Sequence, residues 1–279
     1  MTVASYLSSM AAAAYVRDSE KESIRNSIAT LEYRLKHHFG QDISEQLIFG
    51  SYSRETILPR SMDANSDVDY MVVFKDGNFR PQTYLDRLRR FVEASYIRSE
   101  IEQSNPTIRL SLNHIRFELV PAVRTMFYGL HIPGKPSSYQ DWISTNPTGF
   151  NGELTEKNKS HGNFIKPLVR IVKYWNACNG YPFESYELEQ QVVAFNYSGV
   201  GFFSAPELRK YFYEFMGDLS VSWLAPDWKK QKIERARTLI KNIRGYEAIN
   251  RQDQAENELK KLLPDLKAPG ILSRGLLGR

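Results

Sequence analysis

Apolar residues first recur at helical spacing. Residues 1–14 hold apolar positions interrupted by Ser and Tyr and ending in Ala11–Ala14, which predicts a helix. Ser19-Glu20-Lys21-Glu22 fits a capping box with Ser19 as N-cap. Ile24, Ile28, Leu31 and Leu35 then predict a second helix to about Phe39, stopped by Gly40. The pattern next changes to strands. Glu45–Phe49 runs into Gly50-Ser51, and a short helix is expected from about Ser51 to before Pro59. Val68–Phe74 reads as a strand and Asp76-Gly77-Asn78 as a turn. Thr83 to Ser99 reads as a helix with Leu85, Leu88, Phe91 and Val92 on one side. Thr107–Leu112 and Ile115–Val120 alternate around Asn113-His114, a hairpin that Pro121 should end. Residues 131–163, rich in proline, glycine and polar side chains, read as an irregular connector. Beyond it the pattern is helical to about Leu263. The expectation is an α+β protein: a mixed-sheet core with the N-terminal helices behind it (1–155), a helical lobe (156–279), and a cleft between them.

Composition narrows the class. The chain has 279 residues, 42% apolar and 25% charged, which is ordinary for a soluble globular protein. It has no apolar run long enough to span a bilayer, so no transmembrane helix is expected. The N-terminus lacks a basic segment and does not read as a signal peptide. Cys178 is the only cysteine, which excludes an internal disulfide and favours a cytoplasmic home. A net charge of +5 suits a phosphate-rich ligand but is weak evidence for nucleic-acid binding.

The candidate chemistry lies in residues 49–74, FGSYSRETILPRSMDANSDVDYMVVF. Asp67 and Asp69 stand two apart on a strand and so share a face. Paired carboxylates repel unless a cation sits between them, and Mg²⁺ prefers hard oxygen ligands with open positions for phosphates. Gly50-Ser51 offers backbone N–H groups and a hydroxyl to such phosphates. This combination suits nucleotidyl transfer. Glu118 alternates with Phe117 and Leu119. That pattern fits a solvent face, and equally a third acid beside Asp67 and Asp69 that would let two metal ions bind. Lys166, Arg170 and Lys173 share a helix face, with a solvated basic face as the plain reading of the first two. Arg54 and Thr56 line the site or serve as an exposed arginine and a cap. Tyr197, Phe202, Phe203, Tyr211, Phe212, Tyr213 and Phe215 read as core, and Trp142, Trp223 and Trp228 as packed residues.

Phe49-Gly50-Ser51, then Asp67-Val68-Asp69-Tyr70, then Glu118 resemble the nucleotidyltransferase superfamily that contains DNA polymerase β. Glu118-Leu119-Val120-Pro121-Ala122 resembles an element of the bacterial cyclic-oligonucleotide synthases called CD-NTases. Leu168–Asn176 is similar to a helix that these share with oligoadenylate synthases, and Ser185-Tyr186-Glu187-Leu188-Glu189 to the element after it. The motifs stand in family order over about residues 47–190. The chain departs from the family in three places: Glu118 replaces the commoner Asp, Glu55-Thr56 replaces Gly-Thr, and the spacer from Ser51 to Asp67 is long.

The resemblance implies a polymerase β-like core, with Asp67, Asp69 and Glu118 as catalytic metal ligands for two Mg²⁺ (or Mn²⁺). It implies that Gly50, Ser51, Lys173 and Ser185 bind the donor triphosphate and that Tyr186 stacks on the donor base. Substrates would be NTPs and the product a cyclic or short linear oligonucleotide. It further implies antiphage signalling through a separate effector, with possible control by an activator. Two alternatives stand beside this. The same fold serves nucleotidyl transfer to RNA 3′ ends, a protein or a small molecule, and it also serves non-catalytic nucleotide or RNA binding.

Overall fold

The computed structural model describes residues 2–97, 99–104, 106–125, 129–134, 142–200 and 206–266. Its centre is a seven-stranded mixed sheet. The strands are β1 (Ile43–Phe49), β2 (Asp67–Phe74), β3 (Glu100–Ser104), β4 (Thr107–Ser111), β5 (Arg116–Thr125), β6 (Gly129–Pro133) and β7 (Trp142–Thr145). The main order is β1-β2-β5-β4-β3, with β6 bridging β5 to β7. Only the β2–β5 pair is parallel; the other pairs are antiparallel.

Alternation along β2 divides its side chains cleanly. Val68, Tyr70, Val72 and Phe74 face one apolar core together with α2 (Asp18–Phe39) and α4 (Pro81–Ser95). Met71 and Val73 join a smaller cluster on the other face with Ala122 and Leu130. Asp67 and Asp69 belong to that second face, at the end of the strand where the apolar cover stops.

The helical lobe comprises α5 (Gly149–Ser160), α6 (Ile165–Cys178), α7 (Ser185–Ala194), α8 (Leu208–Asp218), α9 (Asp227–Ala248) and α10 (Gln252–Leu262). The first helix, α1 (Val3–Ala13), does not stand behind the sheet as expected. Its Val3, Tyr6, Leu7 and Met10 are buried in the helical lobe's core, and the Tyr6 hydroxyl donates to the Leu263 carbonyl at 2.8 Å.

Several local expectations need correction. Helix α2 begins at Asp18 with Arg17 as N-cap, so Ser19 lies inside the first turn and no capping box forms. Asp18 and Glu20 in that turn face the positive end of the helix dipole instead. Pairing of β4 with β5 ends at Leu119, but β5 itself continues through Pro121 to Thr125. Proline is tolerated because this edge of β5 has no pairing partner between Leu119, where β4 ends, and Val123, where β6 begins. The connector expected at 131–163 holds part of β6 and all of β7 and α5. Trp142 packs edge-on against Tyr84, whereas Trp223 is 81% exposed. Tyr197, Tyr211, Phe212, Tyr213 and Phe215 are buried as expected, while Phe202 and Phe203 lie outside the described residues.

Candidate active site

The parallel pairing of β2 and β5 places Asp69 beside Glu118 and Asp67 beside Arg116. Neighbours in register share a face, so all three acids project the same way. They line a cavity of about 610 Å³ between the sheet and the helical lobe. Ser51, Lys173, Ser185 and Tyr186 line the same cavity. Seven of the eight residues that the resemblance assigns to the site therefore converge on one space.

Gly50, the eighth, lies beneath the floor. Its φ is +69°, and a Cβ there would stand 1.7 Å from Asp69 Oδ2. Only glycine permits both that backbone and the close approach. The strand β1 thus turns directly under Asp69, and Ser51 emerges at the cavity wall through the short helix α3 (Gly50–Ser53).

The acids are electrostatically crowded. Burial, reinforced by Glu118, pushes the Asp67 carboxyl up to about 6 despite Arg116. Burial followed by Asp67 and Glu118 pushes Asp69 up to about 7, with Arg54 and Lys173 opposing. Two arginines supply partial compensation. Arg116 donates to Asp67 Oδ2 at 3.2 Å and to the Asn65 carbonyl at 2.6 Å. Arg109 donates to Glu118 Oε1 at 2.8 Å. No three His, Cys, Asp or Glu side chains among the described residues converge at metal-binding spacing. The donor chemistry nevertheless fits a hard divalent cation: three carboxylate groups, on one face, short of positive charge.

The opposite wall carries the cations. Lys173 is buried, its ammonium donating to Glu189 Oε1 at 3.0 Å and to the Thr56 carbonyl at 3.1 Å. Arg54 is buried too, and donates to Glu189 Oε2 at 2.8 Å. Thr56 is no helix cap; its hydroxyl donates to Glu189 Oε1 at 2.8 Å. Nor do Lys166 and Arg170 form a solvated face. Lys166 pairs with Glu55 at 2.8 Å, and Arg170, 7% exposed, donates to the Glu55 carbonyl. Glu55 needs this support, because it holds a left-handed φ of +61° where glycine would be natural. Tyr186 is half exposed, its ring edge-on to Phe150, and so keeps a face open to the cavity.

A second bridge between the lobes was not legible in the sequence. Tyr181, with φ of +57°, donates its hydroxyl to Asp63 Oδ1 at 2.6 Å and accepts from Asn65 Nδ2 at 2.8 Å. Glu55 carried one signal, its departure from the commoner Gly-Thr, whereas the left-handed Tyr181 carried none.

A mixed sheet with acids on two central strands, facing a helical lobe across a cleft, defines a polymerase β-like nucleotidyltransferase fold of the CD-NTase type. Within that class the chain belongs to the Second Messenger Oligonucleotide or Dinucleotide Synthetase domain family, which matches residues 1–158. It is 26% identical over 213 residues to a probable cyclic nucleotide synthase of Bacillus cereus, covering 63% of this chain and 62% of that protein. It is 26% identical over 158 residues to a cyclic AMP-AMP-AMP synthase of Acinetobacter, covering 54% of this chain and 45% of that protein. The chain thus spans less than two thirds of either curated relative. Its fold is similar to that of Escherichia coli MS115-1 CdnC, solved as a complex with a HORMA protein. That likeness has a TM-score of 0.71 at 12% identity and covers 96% of this chain and 99% of CdnC. No helix among the described residues is long and apolar enough to cross a membrane.

Proposed function

We propose that this protein is a metal-dependent nucleotidyltransferase that joins NTPs into a cyclic or short linear oligonucleotide. One observation carries the reading: Asp67, Asp69 and Glu118 share a cavity with Lys173, Ser185 and Tyr186 on the facing wall. Mg²⁺ held by Asp67, Asp69 and Glu118 would neutralise the triphosphate and lower the pKa of the attacking ribose hydroxyl. In this reading Glu118 would help take that hydroxyl's proton, and Gly50, by letting the turn approach Asp69 closely, would bring Ser51 to the phosphates. Lys173 supplies positive charge where pyrophosphate leaves. Tyr186 offers a ring face to the donor base, a contact that tolerates any base.

Cytoplasmic second-messenger signalling in antiphage defence, read by a separate effector, fits the family. The HORMA complex of the CdnC relative supports control by a protein partner. The test is incubation with all four NTPs and Mg²⁺ or Mn²⁺, phosphatase treatment, and mass spectrometry beside the Asp67→Ala/Asp69→Ala variant. A phosphatase-resistant cyclic product that the variant lacks supports the reading. Wild-type pyrophosphate release by Asp69→Asn refutes it.

A further inference from the structure

The cavity wall opposite the acids is organised around one buried carboxylate. Glu189 is 1% exposed, and both its oxygens are taken: Oε2 by Arg54 and Oε1 by Thr56 and Lys173. Its partners come from different parts of the chain. Arg54 and Thr56 follow the Gly50-Ser51 turn of the sheet lobe, Lys173 lies on α6 and Glu189 on α7, the helix that also carries Ser185 and Tyr186. The contacts with Arg54 and Thr56 cross between the lobes at the point where a nucleotide would lie.

Charge explains why a carboxylate is needed there. Arg54 and Lys173 both face the cavity, yet each is only 6% exposed. Two desolvated cations bonded around one point repel strongly unless an anion lies between them. Glu189 supplies it. Burial pushes its carboxyl up, but Lys173 and Arg54 together hold it below the ordinary value, so it stays ionised. The cluster keeps one surplus positive charge, directed at the cavity. Arg54 also lies 5.3 Å from the Tyr186 ring centroid, so Glu189 fixes the cation beneath the aromatic face as well. Buried ion clusters are weak sources of stability compared with apolar packing. One built into a cavity wall therefore calls for a role beyond folding.

We infer that Glu189 is a positioning residue, which lets Arg54 and Lys173 sit side by side, charged and oriented, as the receptor for the polyphosphate of the bound nucleotide. This rests on the nucleotidyltransferase reading and adds a residue to it. Glu189 touches neither phosphate nor reacting atoms; it acts through the two cations.

The test is calorimetric titration with the α,β-methylene analogues of ATP, GTP, CTP and UTP in Mg²⁺. It compares wild type, Glu189→Gln, Glu189→Asp, Lys173→Met and Lys173→Met/Glu189→Gln, each checked by thermal unfolding. Glu189→Gln keeps the shape and removes the charge. Glu189→Asp keeps the charge but is one methylene too short to reach Arg54 and Lys173 together. Each Glu189 variant should weaken binding at least tenfold in the folded state. In the double variant the Glu189→Gln change should cost less than it does in wild type, because its Lys173 part is already gone and only its Arg54 part remains. A folded Glu189→Gln within threefold of wild type overturns the inference, as do fully additive losses. Where Glu189→Gln does not fold, wild-type affinity in Glu189→Asp overturns it instead. Failure of wild type to bind any of the four analogues overturns the nucleotide reading itself, a result distinct from the others.

Discussion

Asp69→Asn should stabilise the protein while abolishing pyrophosphate release. Burial and the neighbouring Asp67 and Glu118 raise the Asp69 carboxyl from the ordinary 3.8 to about 7. The folded state therefore binds this proton more tightly than the unfolded chain does. That contribution is fully present below about pH 3.8 and is lost as pH rises towards about 7. At pH 8 the ionised carboxylate opposes folding. At about 1.4 kcal/mol per pH unit the ceiling is roughly 4 kcal/mol. The repulsion is shared with Asp67 and Glu118, and water enters the open cavity, so roughly 1–3 kcal/mol is the expected gain. For a chain of this size that is roughly 2–9 °C in Tm. The assay is thermal unfolding without divalent cations at pH 8 and pH 5. The gain should be clearly larger at pH 8, where the wild-type charge is present. A variant no more stable than wild type at pH 8, or equally stabilised at both pH values, would show that the acid cluster is not frustrated and that the argument is wrong.

Gly50→Ala places a Cβ on Asp69 and forces a left-handed backbone on alanine. It should cost about 2 kcal/mol or more, lower Tm, and eliminate product formation; the Asp69→Gly second change should recover part of the Tm. Tyr181→Phe removes the hydroxyl that joins Asp63 and Asn65 across the cavity. A loss of about 1–2 kcal/mol is expected in denaturant unfolding, and an unchanged midpoint would remove Tyr181 as a lobe bridge. Glu55→Val should destabilise by about 1–2 kcal/mol, since a β-branched residue is poorly suited to φ near +60°. Glu55→Gly should stay within about 1 kcal/mol of wild type, as relief of strain offsets the lost Lys166 pair.

What the sequence discloses depends on how far apart the interacting residues lie. Asp67 and Asp69 share a face by strand geometry alone, and Gly50 announces an unusual turn. Glu118 is different. Its local alternation is also that of a solvent face, and only the parallel register with β2 places it beside Asp69. Resemblance to a family supplied that register; hydrophobic pattern does not. Arg54, Thr56 and Glu189 were less legible still. Arg54 and Glu189 stand 135 positions apart, and a charged residue on an amphipathic helix gives no sign that it will be buried with a distant partner. Helix α1 misled for a related reason. Its apolar face fits either core, and only the completed helical lobe, with Tyr6 bonded to Leu263, decides between them. Strands β6 and β7 were hidden by the prolines and glycines around them, which locally favour turns.

The two cavity walls differ in how completely their charges are balanced. On the wall facing the acids two cations, one from each lobe, share one carboxylate with every oxygen bonded. On the sheet side three carboxylates share two arginines, and two of the acids are raised well above their ordinary values. A fold selected for stability alone would reduce this imbalance, and the Asp69→Asn change does so with one atom's exchange. Its persistence makes sense when the missing charge arrives with the ligand. A divalent cation on the acids and a polyphosphate across to Arg54 and Lys173 would complete both walls at once. Added Mg²⁺ should then stabilise wild type more at pH 8 than at pH 5, because protonated acids neither repel one another nor bind the ion. It should stabilise Asp69→Asn much less at either pH. Equal stabilisation of the two proteins by Mg²⁺ would separate the crowded acids from metal binding and leave their repulsion without a purpose.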